Sequence, residues 1–246
     1  MSIAIACQDL KFNNIAAIIF DKDGTLENSA AYWRLVGSER ARLIDAQIPG
    51  VGEPLLMAFG ITENNLDPQG LMAVGSRMEN EIAAAAYIAE TGRSWSESRE
   101  IAAGAFSEVA ESKYLIKTSQ SVPIYEDVRS TLQSLGDRGL KIGIISADTT
   151  VAVRKFMVDH QLEDLIQLGL GSDGEAVKPD PQLFWQACEN LDVAPRETLI
   201  VGDTGADILM AQAGGAAGAI AICRQQNSGL DSADVRIDSL SEIQAL

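Results

Sequence analysis

The chain has 246 residues, 46% of them hydrophobic, with a mean hydropathy of +0.05, enough to bury a sizeable core in one large or two smaller domains. Acids outnumber bases 35 to 19, for a formal net charge of −16 and a pI of about 4.4 without any lysine or arginine cluster; this disfavours nucleic acid as a partner and means that any anion site must be built locally. No apolar run approaches the ~20 residues of a membrane helix, and the amino end "MSIAIACQDLKFNN" has no basic region ahead of an apolar one, so neither a membrane nor a secretory address is expected.

Cys7, Cys188 and Cys223 stand apart without CxxC spacing, as reduced thiols in a cytoplasm do. With one histidine, His160, zinc sites of the usual kinds lack ligands.

In chain order, "IAAIIF" from Ile15 to Phe20 is short, apolar and rich in isoleucine, as a strand buried on both faces is. From Glu27 to about Ser121 nothing reads as a strand. Tyr32, Leu35, Val36 and Leu43 recur on one helical face, and "NEIAAAAYIAE" has high helix propensity. Ser94 with Glu97 offers a capping box for a helix whose apolar face holds Ile101, Ala105 and Val109. Glycine and proline between Pro49 and Gly75 divide this stretch into several helices.

The texture then changes. "YEDVRSTLQSLGDRG" reads as a helix closed by Gly136, "LKIGIIS" as a buried strand, Thr150 to His160 as a helix and Leu165 to Leu168 as a short strand. A helix from Pro181 to Asn190 follows, with Asp180 as its N-cap, then the strand "TLIVGD" and a helix from Ala206 to Ala213. The strands "GAIAIC" and "ADVRI" and a terminal helix complete the chain. Such alternation predicts an α/β fold, a Rossmann-like parallel sheet with helices on both faces. Residues 1–27 and 120–246 are expected to form this core, and residues 28–119 an inserted all-helical domain.

In such a sheet, ligands bind beyond the carboxyl ends of the strands. The polar residues there are Asp21 and Asp23, Ser146, and Asp203 with Asp207; Lys178 follows in the loop "KPDP". Converging carboxylates repel one another unless a cation sits among them, and an oxygen-only donor set selects a hard ion such as Mg²⁺. A carboxylate at a strand end, with free N–H groups of Gly24 and Thr25 beyond it, can attack phosphorus. A second carboxylate two residues on can protonate the leaving oxygen and later deprotonate water. Ser146, the Ala147 N–H and the Lys178 ammonium can hold the oxygens that gather charge. Each residue alone has a simpler reading, such as a turn at "DG" or acids at a helix N-terminus; jointly they do not.

"FDKDGTL", "IIS", "KPDP" and "VGDTGAD", in this order and with a helical insert after the first, resemble the four motifs of the haloacid dehalogenase superfamily. The likeness runs from Ile15 to Cys223 and is nearest to phosphatases with a helical cap, such as the phosphoglycolate phosphatase group. It implies a phosphoric monoester hydrolase acting on a small phosphorylated metabolite through an aspartyl-phosphate on Asp21, with Asp23 as general acid/base and phosphate contacts from Ser146 and Lys178. It also implies Mg²⁺ held by Asp21, the Asp23 carbonyl and Asp203, with Asp207 assisting directly or through water. The aspartate at position 23 argues against halide displacement and carbon–phosphorus cleavage. Lys22 does not settle the substrate. Ala147 stands where many relatives carry asparagine, so it keeps the N–H and loses the side chain.

Two alternatives accompany this reading: a phosphosugar mutase of the same superfamily, and a catalytically silent binding module. Hinges into the lid are expected near Glu27 to Ser29 and Ser119 to Pro123. "GLGSDG", Gly169 to Gly174, matches GxGxxG but is followed by Pro179, and reads as a loop. His160 reads as a dipole or surface residue, and Trp33, Trp95 and Trp185 as packing residues. Arg34, Arg40, Arg42, Arg77, Arg93 and Arg99 of the insert are candidates to meet a substrate anion. The substrate and the oligomeric state are not specified by these patterns.

Overall fold

The computed structural model describes residues 2–174, 176–224 and 230–246. The chain opens with three strands, β1 (Ile3–Cys7), β2 (Leu10–Ile15) and β3 (Ala17–Phe20). Five helices follow: α1 (Ala30–Gln47), α2 (Gly52–Phe59), α3 (Leu71–Val74), α4 (Arg77–Glu90) and α5 (Trp95–Ala110). Alternation then begins with α6 (Val128–Asp137), β4 (Lys141–Ser146), α7 (Thr150–Asp159), β5 (Leu168–Gly171), α8 (Pro181–Asn190), β6 (Thr198–Gly202) and α9 (Gly205–Gly214). Three strands close the chain: β7 (Gly218–Ile222), β8 (Val235–Ile237) and β9 (Ile243–Ala245). Two compact units result, Met1–Asn28 with Pro123–Leu246, and Ser29–Val122.

The first unit carries a six-stranded parallel sheet in the order β5-β4-β3-β6-β7-β8. Alternate residues along each strand supply two cores. Ile18, Phe20, Ile142, Ile144, Leu199 and Val201 pack with α6 and α7 on one face. On the other, Ala17, Ile19, Ile145 and Ile200 pack with Leu183, Phe184, Ile208 and Met210 of α8 and α9. Strands covered on both faces read as unbroken apolar runs, which is the predicted fold class. Because β4 and β6 flank β3 on opposite sides, the crevice beyond its carboxyl end is the topological switch point.

Several expectations are corrected. Ile15 ends β2, so the buried central strand is shorter, and β1 with β2 forms an antiparallel hairpin that no reading of the first fourteen residues anticipated. The expected terminal helix is one 3-10 turn, Leu240–Glu242, followed by β9, which pairs with β1 to complete a second, three-stranded sheet. The seven residues after Ser239 are too few for a stable helix, while Ile243 can bury against the core.

The strand expected at Leu165 to Leu168 lies at Leu168–Gly171, because Leu162 and Ile166 are consumed as core residues of a turn bonded Ile166 N–H to Leu162 O. Gly169 and Gly171 of "GLGSDG" therefore lie in a strand rather than a loop; a Cβ at Gly169 would come within 2.8 Å of Val153. α6 runs through Gly136, and the left-handed Gly139 (φ 82°) turns the chain instead. Asp180 is the N-cap of α8, accepting from the Gln182 N–H, with Pro181 first in the helix.

In the helical unit, Val36, Ile44, Leu55, Phe59, Ile88 and Phe106 belong to one core. Leu35 is half exposed, and Arg40 takes its place on the buried face of α1, its guanidinium 4.1 Å over the Phe106 ring. Ser94 accepts the Glu97 N–H, but the Glu97 carboxylate pairs with Arg93, and the reciprocal capping box is formed by Ser76 and Glu79 before α4. Trp33 packs against this core, whereas Trp95 of this unit and Trp185 of the other are half exposed. Among the described residues, no helix is long and apolar enough to cross a membrane.

Candidate active site

Asp21 follows β3 and donates its N–H to Val201 O at 2.8 Å, so the strand pairing that aligns Phe20 with Val201 also fixes the carboxylate's position. The next residues fold back on themselves: Lys22 O accepts the N–H groups of Leu26 and Glu27, and Gly24 N–H donates to Glu27 O at 2.9 Å. Gly24 has φ 76°, and a Cβ there would collide with the Asp203 carboxylate. The Gly24 N–H expected to face a ligand is thus committed to closing this loop. Thr25 is buried, and its hydroxyl donates to Asp203 Oδ1 at 3.3 Å.

Asp203 follows β6, and Asp207 lies in the first turn of α9. Asp207 Oδ2 accepts from the Thr204 N–H (3.2 Å) and hydroxyl (2.6 Å), which locks its carboxylate toward the sheet. Gly202 permits this approach, since a Cβ would meet the Asp207 side chain. From the loop before α8, the Lys178 ammonium reaches Asp21 Oδ1 and, at 2.7 Å, Asp207 Oδ1, with all three side chains buried.

Asp21, Asp203 and Asp207 each offer an oxygen, and these atoms lie within 4.8 Å of one another. Desolvation, opposed by Lys178 and reinforced by Asp207, pushes the Asp21 carboxyl up to about 7. Desolvation with the charges of Asp21 and Asp207 raises Asp203 well above the carboxylate range. Burial lowers the Lys178 affinity for its proton, but Asp207 and Asp21 outweigh this and raise it. One ammonium does not balance three carboxylates, and the hard oxygen set fits a divalent ion such as Mg²⁺.

Ser146 ends β4, two residues beyond the pairing of Phe20 with Ile144, and its side chain is buried. Its hydroxyl accepts the Asp148 N–H at 3.1 Å, and its carbonyl accepts from the Ser172 hydroxyl at 2.9 Å. Ala147 follows in the same loop. Asp23 is turned elsewhere: its carboxylate pairs with Lys22 Nζ at 2.8 Å.

A sequence profile of the haloacid dehalogenase-like hydrolases matches residues 15–215. The chain belongs to the haloacid dehalogenase-like hydrolase family. A phosphoglycolate phosphatase of Yersinia pestis is 30% identical over 212 residues, covering 84% of this chain and 80% of that protein. A pyrophosphatase PpaX of Bacillus mycoides is 37% identical over 92 residues, 37% of this chain and 43% of its own length. Among solved structures, a predicted phosphoglycolate phosphatase from Haemophilus somnus superposes with a TM-score of 0.67 at 20% identity, over 94% of this chain and 96% of that one. The resemblance to the phosphoglycolate phosphatase group, drawn from four short motifs, is borne out, and the expected kind of enzyme is what these relatives are by name.

Haloacid dehalogenase-like motifs alone did not reveal two further groups at this edge. Lys22 is buried, and burial works against its charge, but Asp23, Asp148 and Glu27 raise its proton affinity well above the ordinary lysine value. Asp148, two residues after Ser146, was the available signal. Arg224, two residues past β7 at the same strand ends, pairs both η nitrogens with Asp127 at 2.7 Å and donates to Thr25 O at 3.2 Å, tying the motif-one loop to α6. His160 is also corrected: it is buried at the end of α7, with Nε2 3.5 Å from Glu27 Oε1.

Proposed function

We propose that this haloacid dehalogenase-like chain is a Mg²⁺-dependent phosphatase of a small phosphorylated metabolite, with Asp21 as nucleophile. The convergence of Asp21, Asp203 and Asp207 around Lys178 carries the reading. Asp21 attacks phosphorus, and the bond to the leaving oxygen breaks as Asp23 gives that oxygen a proton, leaving an aspartyl-phosphate. Asp23 then takes a proton from water, whose oxygen attacks the same phosphorus and returns Asp21 as a carboxylate. Lys178, the Ser146 hydroxyl and the Ala147 N–H hold the phosphoryl oxygens as they gather charge. Asp21, the Asp23 carbonyl and Asp203 would hold Mg²⁺, with Asp207 assisting directly or through water, and the ion would neutralise the charge shared by phosphate and carboxylates.

In this reading the helical unit is the cap that excludes water, with hinges at Glu27 to Ser29 and Ser119 to Pro123. The core-side ends of both crossings are bonded together, Asn28 N–H to Pro123 O and Tyr125 N–H to Leu26 O, which supports a fixed base for such motion. A cytoplasmic setting accords with three free cysteines, Cys7 and Cys188 buried and pushed up to about 11 by desolvation.

Phosphoglycolate and pyrophosphate, the substrates named in the relatives, head the test panel with hexose phosphates and glycerol phosphate. Phosphate release that requires Mg²⁺ and disappears with chelator is expected from at least one member. Release undiminished by chelator would refute the metal; conversion of a hexose 1-phosphate to its 6-phosphate without release would make the chain a mutase.

A further inference from the structure

Lys22 is one of the largest fully buried side chains, and no step above uses it. Its Nζ lies 2.8 Å from Asp23 Oδ2, 3.0 Å from Asp148 Oδ2 and 3.9 Å from Glu27 Oε2. Burying an ammonium costs several kcal/mol unless it is well paired. The deeply buried Glu27, 2% exposed, stands farthest from the ammonium, and the two short contacts go to the carboxylates of Asp23 and Asp148, each 21% exposed. Asp148 is itself fixed: its Oδ1 accepts the Thr149 N–H at 2.8 Å, its N–H donates to Ser146 Oγ and its carbonyl accepts the Ser172 N–H. Lys22 therefore leans on the loop that carries Ser146 and presents its charge to Asp23.

The two lysines pair with different carboxylates. Lys178 takes Asp21 and Asp207, and Lys22 takes Asp23 and Asp148. Asp23 is two residues from Asp21, yet it is not among the three carboxylates that converge as a cation site. We infer that Lys22 is a positioning residue for Asp23: braced by Asp148, it holds the Asp23 carboxylate apart from the metal cluster and in place for proton transfer to the leaving oxygen. The inference rests on the phosphatase reading and adds to it the group that holds the second aspartate's carboxylate away from the three that converge. It also links the first loop to the phosphate-binding loop through one ion pair.

The test compares two esters on the full chain with Mg²⁺. The para-nitrophenolate of para-nitrophenyl phosphate departs without a proton, whereas an alkyl leaving group needs one. The alkyl ester is phosphoglycolate, or the alkyl phosphate of the panel that the wild type turns over fastest. Lys22→Met is expected to lower kcat/KM for the alkyl ester about tenfold more than for the aryl ester. That ratio does not depend on how much of the variant is folded. Asp148→Asn, which removes the brace and keeps Lys22, is expected to shift the ratio the same way by about threefold and carries the test if Lys22→Met does not fold. Equal losses on both esters in the variant measured would make Lys22 merely structural and overturn the inference while leaving the phosphatase intact. A wild type that releases phosphate from neither ester nor any member of the panel overturns the phosphatase reading and this inference with it; release from pyrophosphate alone overturns only the inference.

Discussion

Adjacent residues of one loop feed two clusters with the same nominal charge, three carboxylates to one ammonium, and only one of them calls for a metal ion. Around Lys178, the oxygens of Asp21, Asp203 and Asp207 are packed within 4.8 Å and Asp21 is pushed up to about 7 by desolvation, against the pull of Lys178. Around Lys22, Asp23 and Asp148 are each 21% exposed and Glu27 stands 3.9 Å away, so water and distance relieve the repulsion. Spacing and burial, more than a count of acids, mark the place where a cation is needed.

Breaking the first cluster at its centre should have the largest effect. Asp21→Asn is expected to lower phosphate release at least about a thousandfold while thermal unfolding stays cooperative. Lys178→Met leaves Asp21 and Asp207 facing each other and should cost about 3 kcal/mol in urea unfolding without metal. Saturating Mg²⁺ should then raise the melting temperature of that variant by more than it raises the wild type; equal shifts would place the ion elsewhere.

Asp127 supplies the balanced extreme. Burial opposes its charge, but Arg224, the Ser239 hydroxyl and the Leu240 N–H outweigh this and hold its carboxyl below the ordinary value. A depressed folded value means that its stabilisation is present above the unfolded value, about 3.9, and is lost as pH falls through the folded one. Asp127→Asn should cost about 2 kcal/mol at neutral pH, and its deficit against wild type should shrink toward about pH 3 in urea titrations. Gly24→Ala, which strains a left-handed residue beside Asp203, should cost about 1 kcal/mol by the same measurement.

Asp21 and Asp203 of the Lys178 cluster were legible because each stands at the end of an apolar run. Strands such as Thr198–Gly202, buried throughout, announce themselves, and the first polar residue after each one is at the crevice. The Lys22 cluster was not, since periodicity places a lysine in a loop and says nothing of the packing that buries it. Gly24 was visible as a turn former, but which way its N–H points is decided by the closure onto Glu27. The second sheet escaped notice for a different reason. β2 is mostly exposed, and β1 finds its other partner, β9, at the far end of the chain, a pairing that no local pattern encodes. The partly buried ion pair of Arg224 with Asp127 joins residues 97 positions apart, which no local pattern encodes either.

The central claim is that Asp21 carries the phosphoryl group. Rapid acid quench during turnover of the best substrate with Mg²⁺, followed by digestion and tandem mass spectrometry, tests it most directly. A phosphoryl group on Asp21, absent without substrate and absent in Asp21→Asn, is the expected result. Turnover accompanied by a phosphoryl group on any other residue would contradict the account.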